Sequence, residues 1–367
     1  MGNHVVLNVS HRRDNPRNSE GAFVTLKDGR IFFVYTHYYG ASWSDDATAR
    51  LCARVSADGG RTWSKRDELV VENEGGCNVM SVSLLRLQDG RIALFYLRKN
   101  SIADCRAYLR TSADEGESWS EPTLCIPAPG YFCVNNDRVI QLSGGRLVMP
   151  AGWHRNRLPA AAPQKEGYAA LDSRGIAIFF LSDDAGGSWR ESRDWWPLPL
   201  RSGSGLQEPG VVELRDGRLY AYARTDVGCH YELYSEDRGE TWTPPRPSVF
   251  RAPCSPLCLK RLPFTGDLLA VWNDHSGRLV PVLPQDNNFR SKSWGRTPLV
   301  SAISRDDGRT WEHHRVLEDA RDHGFCYTAI HPVDDAVLLA YCCGGGRKSA
   351  VLQDLRVQRV MMDWFYQ

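Results

Sequence analysis

Strongly apolar runs separated by short polar turns recur along the whole chain. Six times, two such runs flank a tight turn. The turns are Leu26-Lys-Asp-Gly29, Leu87-Gln-Asp-Gly90, Leu142-Ser-Gly-Gly145, Leu214-Arg-Asp-Gly217, Phe264-Thr-Gly266 and Val333-Asp-Asp335. Asp-Gly between alternating apolar runs predicts a β-hairpin, because glycine accepts the positive φ that such turns need. After each of the first five hairpins comes an eight-residue pattern, S-x-D-x-G-x-[ST]-W. Its copies begin at Ser56, Ser112, Ser182, Ser235 and Ser304 and end at Trp63, Trp119, Trp189, Trp242 and Trp311.

Self-similarity at a long period marks a repeat architecture. Six strand-rich units of roughly 50 to 70 residues predict an all-β fold: a six-bladed β-propeller of four-stranded antiparallel blades with five repeated turns. One domain is expected over residues 1–367, with the strand at Val5–Val9 closing the last blade across the chain ends. A site used once does not need five copies, so the repeated octapeptide reads as structural. Its Asp and Ser/Thr side chains satisfy turn N–H groups, and its Trp packs between blades.

Composition narrows the partners. The 367 residues are 42% hydrophobic, include 12 Trp and carry a net charge of +1. Near-neutral charge gives no reason to expect nucleic acid or an anionic membrane surface, and no run approaches the ~20 apolar residues of a membrane span. The N-terminal residues lack a basic segment followed by an apolar one, and the eleven cysteines have no zinc spacing. These features lead to the expectation of a reduced, cytoplasmic protein without a metal or cofactor, although a secreted chain already relieved of its leader would read the same way.

In each hairpin the start of the first strand and the end of the second share one edge. The first-strand openers are Glu20, Asn78, Asp137, Glu208, Ser255 and Tyr327; the second-strand closers are His37, Arg98, His154 (or Trp153), Arg224, Asn273 and Cys342. Strand ends are commonly polar because they meet water. Charged residues recurring on one edge nevertheless predict a concave site there. The loop Tyr38-Tyr-Gly-Ala-Ser-Trp-Ser-Asp45-Asp46 brings aromatics and adjacent carboxylates to the same rim.

Together these features resemble the sialidase (neuraminidase) superfamily, whose Asp boxes the octapeptides match. Four segments carry the resemblance further. "GLQEPGVVELRDGRLYAYAR" resembles the segment with a catalytic glutamate and an arginine, here Glu208 and Arg224. "RTPLVSAISRDDGRTW" resembles the one with a further carboxylate-binding arginine, here Arg296. "GFCYTAIHPVDDAVLLAY" resembles the one with the nucleophilic tyrosine, here Tyr327, and the first-blade loop matches the acid/base aspartate with Asp45, Asp46 being its near alternative. The first blade departs from the family pattern. Where an arginine followed by Ile-Pro is usual, the chain reads Asn18-Ser-Glu20-Gly-Ala-Phe23. An anion there opposes a substrate carboxylate unless a nearby cation neutralises it; the candidates are Arg98, Lys99 and Arg138, beside Asp137.

The resemblance implies exo-glycoside hydrolysis of a terminal, acidic sugar, by a retaining mechanism with a tyrosine nucleophile. Glu208 takes the phenolic proton, and Asp45 protonates the leaving oxygen from a raised pKa. Two other readings stand beside it: a glycosidase or lyase for a different sugar on the same scaffold, favoured by Glu20, and a non-catalytic carbohydrate-binding propeller.

Overall fold

The computed structural model describes residues 3–156, 170–283, 290–346 and 350–367, and these form an all-β fold. Five sheets are present among them. Three are consecutive four-stranded antiparallel meanders. The first runs Asn18–Thr25, Ile31–Tyr38, Ala49–Ser56, Glu68–Val71; another runs Gln207–Glu213, Leu219–Arg224, Cys229–Ser235, Arg246–Arg251; the third runs Cys258–Arg261, Leu268–Asn273, Leu299–Ser304, Glu312–Glu318. A nine-stranded sheet covers Asn78–Glu191. Its two halves meet at a single parallel pairing, Tyr131 with Cys105.

The last sheet joins the chain ends. His323–Val333, Ala336–Gly345 and Asp354–Met361 are completed by Asn3–Val9, which pairs antiparallel to Asp354–Met361. The expected closing strand is therefore in place. All six hairpin turns hold a residue at positive φ: Gly29 (86°), Gly90 (87°), Gly145 (89°), Gly217 (83°), Gly266 (73°) and Asp334 (43°).

Buried apolar residues gather in clusters between neighbouring sheets and between the two halves of the nine-stranded sheet. Ala22, Val24 and Leu51 meet Val79, Leu84 and Leu94. Phe95 and Leu109 meet Met149 and Phe180. Phe179 and Leu181 meet Leu219 and Leu233, and Tyr220 meets Leu259 and Trp272. Leu269 and Ile303 meet Ile330 and Leu339. Ala329 and Leu338 return to Phe23 and Phe33. The contacts thus run in sequence order and come back to the first sheet.

The repeated octapeptides stitch these interfaces. In the first, Ser56 Oγ donates to Asp58 Oδ1 (2.9 Å) and accepts from Gly60 N (2.9 Å), while Asp58 accepts from Thr62 N (2.8 Å) and Thr62 Oγ1 (2.6 Å). The same four bonds recur in every copy. The closed turn aims its tryptophan at the preceding repeat. Trp242 stacks on Phe179 at 3.8 Å, and Trp311 meets Phe250 edge-on at 4.9 Å. The interface that lacks an octapeptide is filled from the C-terminus, where Trp364 and the fully buried Phe365 pack among Leu269, Ile303 and Leu339.

Candidate active site

The openers of the first strands are shaped by a shared backbone irregularity. Glu20, Ser81, Asp137, Glu208 and Tyr327 all have positive φ, at 46°, 61°, 55°, 47° and 59°. Four of them lie at breaks in strand register, between Ser19 and Ala22, Met80 and Ser83, Gln207 and Gly210, and Cys326 and Ala329. A bulge of this kind re-aims a side chain, and a non-glycine residue held there costs on the order of 1–3 kcal/mol. Repeating that cost on one edge points to a site. It also corrects the position expected in the second repeat: Ser81, rather than Asn78, is the counterpart of Glu20, Glu208 and Tyr327.

Four of these five, all but Asp137, converge on a cavity of about 340 Å³ lined by Arg17, Glu20, Ser81, Asp45, Lys99, Glu208, Arg296 and Tyr327, with Trp43 and Trp294 also in its wall. Tyr327 Oη donates to Glu208 Oε1 (3.3 Å) and accepts from Arg224 Nη1 (3.3 Å). Arg224 Nη1 also lies 3.0 Å from Glu208 Oε2. Gln207 Oε1 accepts from Arg224 Nε (3.0 Å) and Nη2 (2.8 Å), which fixes the plane of that guanidinium. Arg296 sits over the Tyr327 ring, 5.2 Å from its centroid, and donates to Cys326 Sγ. Burial and then the neighbouring Glu208 charge push the Tyr327 phenol above its usual pKa, against Arg224 and Arg296. The tyrosine is therefore a neutral phenol hydrogen-bonded to a carboxylate.

Arg17 was not among the expected residues, yet it lines the cavity. Its Nη1 donates to Asp45 Oδ1, its Nη2 donates to Ser19 Oγ (3.2 Å) and lies 3.6 Å from Glu20 Oε1, and its guanidinium covers the Tyr38 ring at 4.9 Å. Glu20 also accepts from Ser81 Oγ. Burial pushes the Glu20 carboxyl up, while Arg17 and Ser81 pull it down. The cation beside Glu20 is Arg17, which was not among the candidates Arg98, Lys99 and Arg138. Glu20 does face the cavity, but as the partner of Arg17.

Other expected residues lie elsewhere. Arg98 does not line the cavity; its guanidinium lies over the Tyr108 ring, 5.2 Å from the centroid. Strand alternation puts its neighbour Lys99 in the cavity wall instead. Asp137 and Arg138 bind other inner strands rather than lining the cavity. Asp137 accepts from Lys260 Nζ (2.6 Å) and Ile330 N (3.0 Å), and Arg138 donates to Tyr222 Oη (3.0 Å) and Leu257 O (2.6 Å). Asp46 is exposed and accepts from Ser44 Oγ, and it is Asp45 that lines the cavity. Asp45 also departs from its expected titration. Enclosure pushes its carboxyl up, but Arg17, then Lys99, outweigh that and hold it at about 2.

Arg17, Lys99 and Arg296 line the cavity with Glu20, Asp45 and Glu208, and Arg224 is bonded to Tyr327 and paired with Glu208.

The BNR repeat-like domain family matches residues 77–339. An anhydrosialidase from Macrobdella decora is 31% identical over 169 residues, covering 42% of this chain and 19% of the relative. A sialidase from Bacteroides fragilis is 24% identical over 341 residues, covering 84% of this chain and 57% of the relative. The chain thus spans well under two thirds of the length of either relative. Among solved structures, the leech intramolecular trans-sialidase complexed with 2,7-anhydro-Neu5Ac superimposes with a TM-score of 0.70 at 15% identity, over 100% of this chain and 71% of that one.

Proposed function

Because this chain belongs to the BNR repeat-like domain family, as a divergent member of the sialidase superfamily, we propose that it is a retaining exo-glycosidase that removes a terminal acidic sugar such as sialic acid. The observation that carries this reading is the Tyr327–Glu208 hydrogen bond, 3.3 Å long, with Arg224 bonded to the same phenol and Arg17 and Arg296 in the cavity wall. The scaffold is a single six-bladed propeller domain, a reading supported by six apolar clusters, five between sheets and one between the halves of the nine-stranded sheet, that lead back to the first sheet.

Arg17, Arg224 and Arg296 bind the sugar carboxylate. Glu208 accepts the Tyr327 proton as the phenolic oxygen attacks the anomeric carbon. The glycosidic C–O bond breaks, and Asp45 gives a proton to the departing oxygen. Water then attacks the same carbon with Asp45 as base, the tyrosyl bond breaks, and Tyr327 regains its proton from Glu208. A neutral phenol suits a carbon that bears a carboxylate, because it approaches without charge repulsion.

Glycan release by the purified protein tests the reading. Sialosides are expected to be cleaved with net retention, and Tyr327→Phe to be inert while still binding the sugar. Cleavage confined to neutral glycosides, or hydrolysis by Tyr327→Phe at the wild-type rate, overturns it.

A further inference from the structure

Asp45 is held by its backbone more firmly than by its side chain. Its carbonyl oxygen accepts from Asn78 Nδ2 (2.9 Å) and Lys99 Nζ (2.8 Å), and Asn78 also holds the carbonyl of Ala47 (2.8 Å). Both donors come from the neighbouring sheet, so the loop is pinned across an interface. The carboxylate, by contrast, is 64% exposed and bonded to Arg17 Nη1. Arg17 is only 12% exposed and is braced by Ser19, Glu20 and the Tyr38 ring. An anion entering the cavity to reach Arg17 must compete with the Asp45 carboxylate for it.

We infer that the Arg17–Asp45 ion pair is a latch opened by the carboxylate of the ligand: the incoming anion takes over Arg17, and the freed Asp45 side chain turns on its pinned backbone and picks up a proton from solvent. This inference rests on the glycosidase reading and deepens it. Arg17 becomes a positioning residue for the acid as well as a binding residue.

The surrounding charges give the latch its direction. Arg17 faces Asp45 from just ahead of the first inner strand, Glu20 from within it, Tyr38 from the next strand, Lys99 from the neighbouring sheet, and Arg296, Glu208 and Tyr327 from across the cavity. With the latch shut, enclosure pushes the Asp45 carboxyl up, but Arg17, then Lys99 and Arg296, hold it at about 2, too acidic to donate a proton near neutrality. Occupation of Arg17 by a ligand carboxylate removes the first of those charges and adds a negative one. Both changes raise the proton affinity of Asp45. A neutral sugar leaves the pair intact, so the protein discriminates against it in turnover as well as in binding.

Proton linkage provides the test. The 2,3-didehydro analogue of N-acetylneuraminic acid is titrated calorimetrically into the intact protein, in buffers of different ionisation enthalpy, between pH 5 and 7. Its carboxamide serves as the uncharged control. The wild type is expected to take up protons with the acid, increasingly as the pH falls, and none with the carboxamide. Asp45→Asn should bind the acid without that uptake, and Arg17→Gln should show markedly less of it. Binding without proton uptake, or equal uptake by Asp45→Asn, overturns the latch and leaves the glycosidase reading standing. No binding of the acid by the wild type overturns the glycosidase reading and the latch with it.

Discussion

Tyr327 and Glu208 belong to different sheets and are 119 residues apart in sequence, yet the hydroxyl of one lies 3.3 Å from the carboxylate of the other. Each sits at a positive-φ bulge opening an inner strand. Tyr327→Phe deletes only the oxygen of this contact. It is expected to cut turnover by about 10³-fold or more, the scale seen when a nucleophile is removed, and to leave thermal unfolding nearly unchanged. Glu208→Gln should cost about 10²- to 10⁴-fold, as for a general base. Steady-state kinetics on an activated aryl sialoside, with parallel melting curves, provide the check.

Trp242 is 3% exposed and stacked on Phe179, and its Nε1 donates to Gly239 O (3.1 Å). Trp242→Ala is expected to destabilise by roughly 3–5 kcal/mol. Trp119 occupies the equivalent place but is only partly buried, so Trp119→Ala should cost less. Denaturant unfolding ranks the two. Equal effects would mean that these tryptophans do not act by filling the interfaces.

Glu20→Arg should weaken the protein rather than complete an arginine cluster. Glu20 is 4% exposed, bonded to Ser81 and paired with Arg17. Replacing it places two guanidinium groups together, and breaking a buried pair costs about 3–5 kcal/mol. Gain of affinity for a sialic-acid analogue, without loss of stability, would refute the assignment of Glu20 as Arg17's partner. Arg98→Ala, by contrast, should leave that affinity unchanged, and Lys99→Ala should reduce it.

Acid should loosen the octapeptide turns. The Ser118 hydroxyl and then its N–H hold the Asp114 carboxyl down at about 2; in Asp58, bonds from Thr62 outweigh the effect of burial to the same end. The folded pKa lies below the unfolded value of about 3.9. The carboxylates therefore stabilise the fold above pH ~4, and that stabilisation is lost as pH falls toward 2. Asp114→Asn should be less stable at neutral pH and show a flatter decline through this window, as measured by denaturant unfolding at each pH. A wild-type pH slope in the variant would remove Asp114 from the account.

The hairpins and octapeptides were legible because each writes its geometry into neighbouring residues: glycine at the turn, Ser, Asp and Thr for the loop, Trp for the interface. Tyr327, Glu208, Arg296 and Asp45 reach the cavity as their motifs suggested. Lys99 takes the inward place beside Arg98 by ordinary strand alternation, while Arg17 and Ser81 were hidden by a common cause. A bulge inserts one residue and exchanges the two faces of a strand, so counting from the turns no longer tells which side chain points inward. Arg17 had one visible trace, as the basic residue just ahead of the first inner strand. The role of Trp364 was hidden because it replaces an octapeptide tryptophan without any of the turn that normally carries one.

The strand Asn3–Val9 has its partner in Asp354–Met361. Ribosomes make the first long before the second, on the order of tens of seconds at ordinary elongation rates. Through that interval the early strand has an open edge and a half-apolar face with nowhere native to dock. The final sheet cannot assemble from one end, so it forms only once Asp354–Met361 has been made. A nascent chain stalled before Asp354 would carry sticky, unpaired β-structure, the kind of surface that chaperones and proteases recognise. Joining the two strands by a short linker and opening the chain at an exposed hairpin elsewhere would let that sheet form early, changing the order of assembly while keeping its contacts.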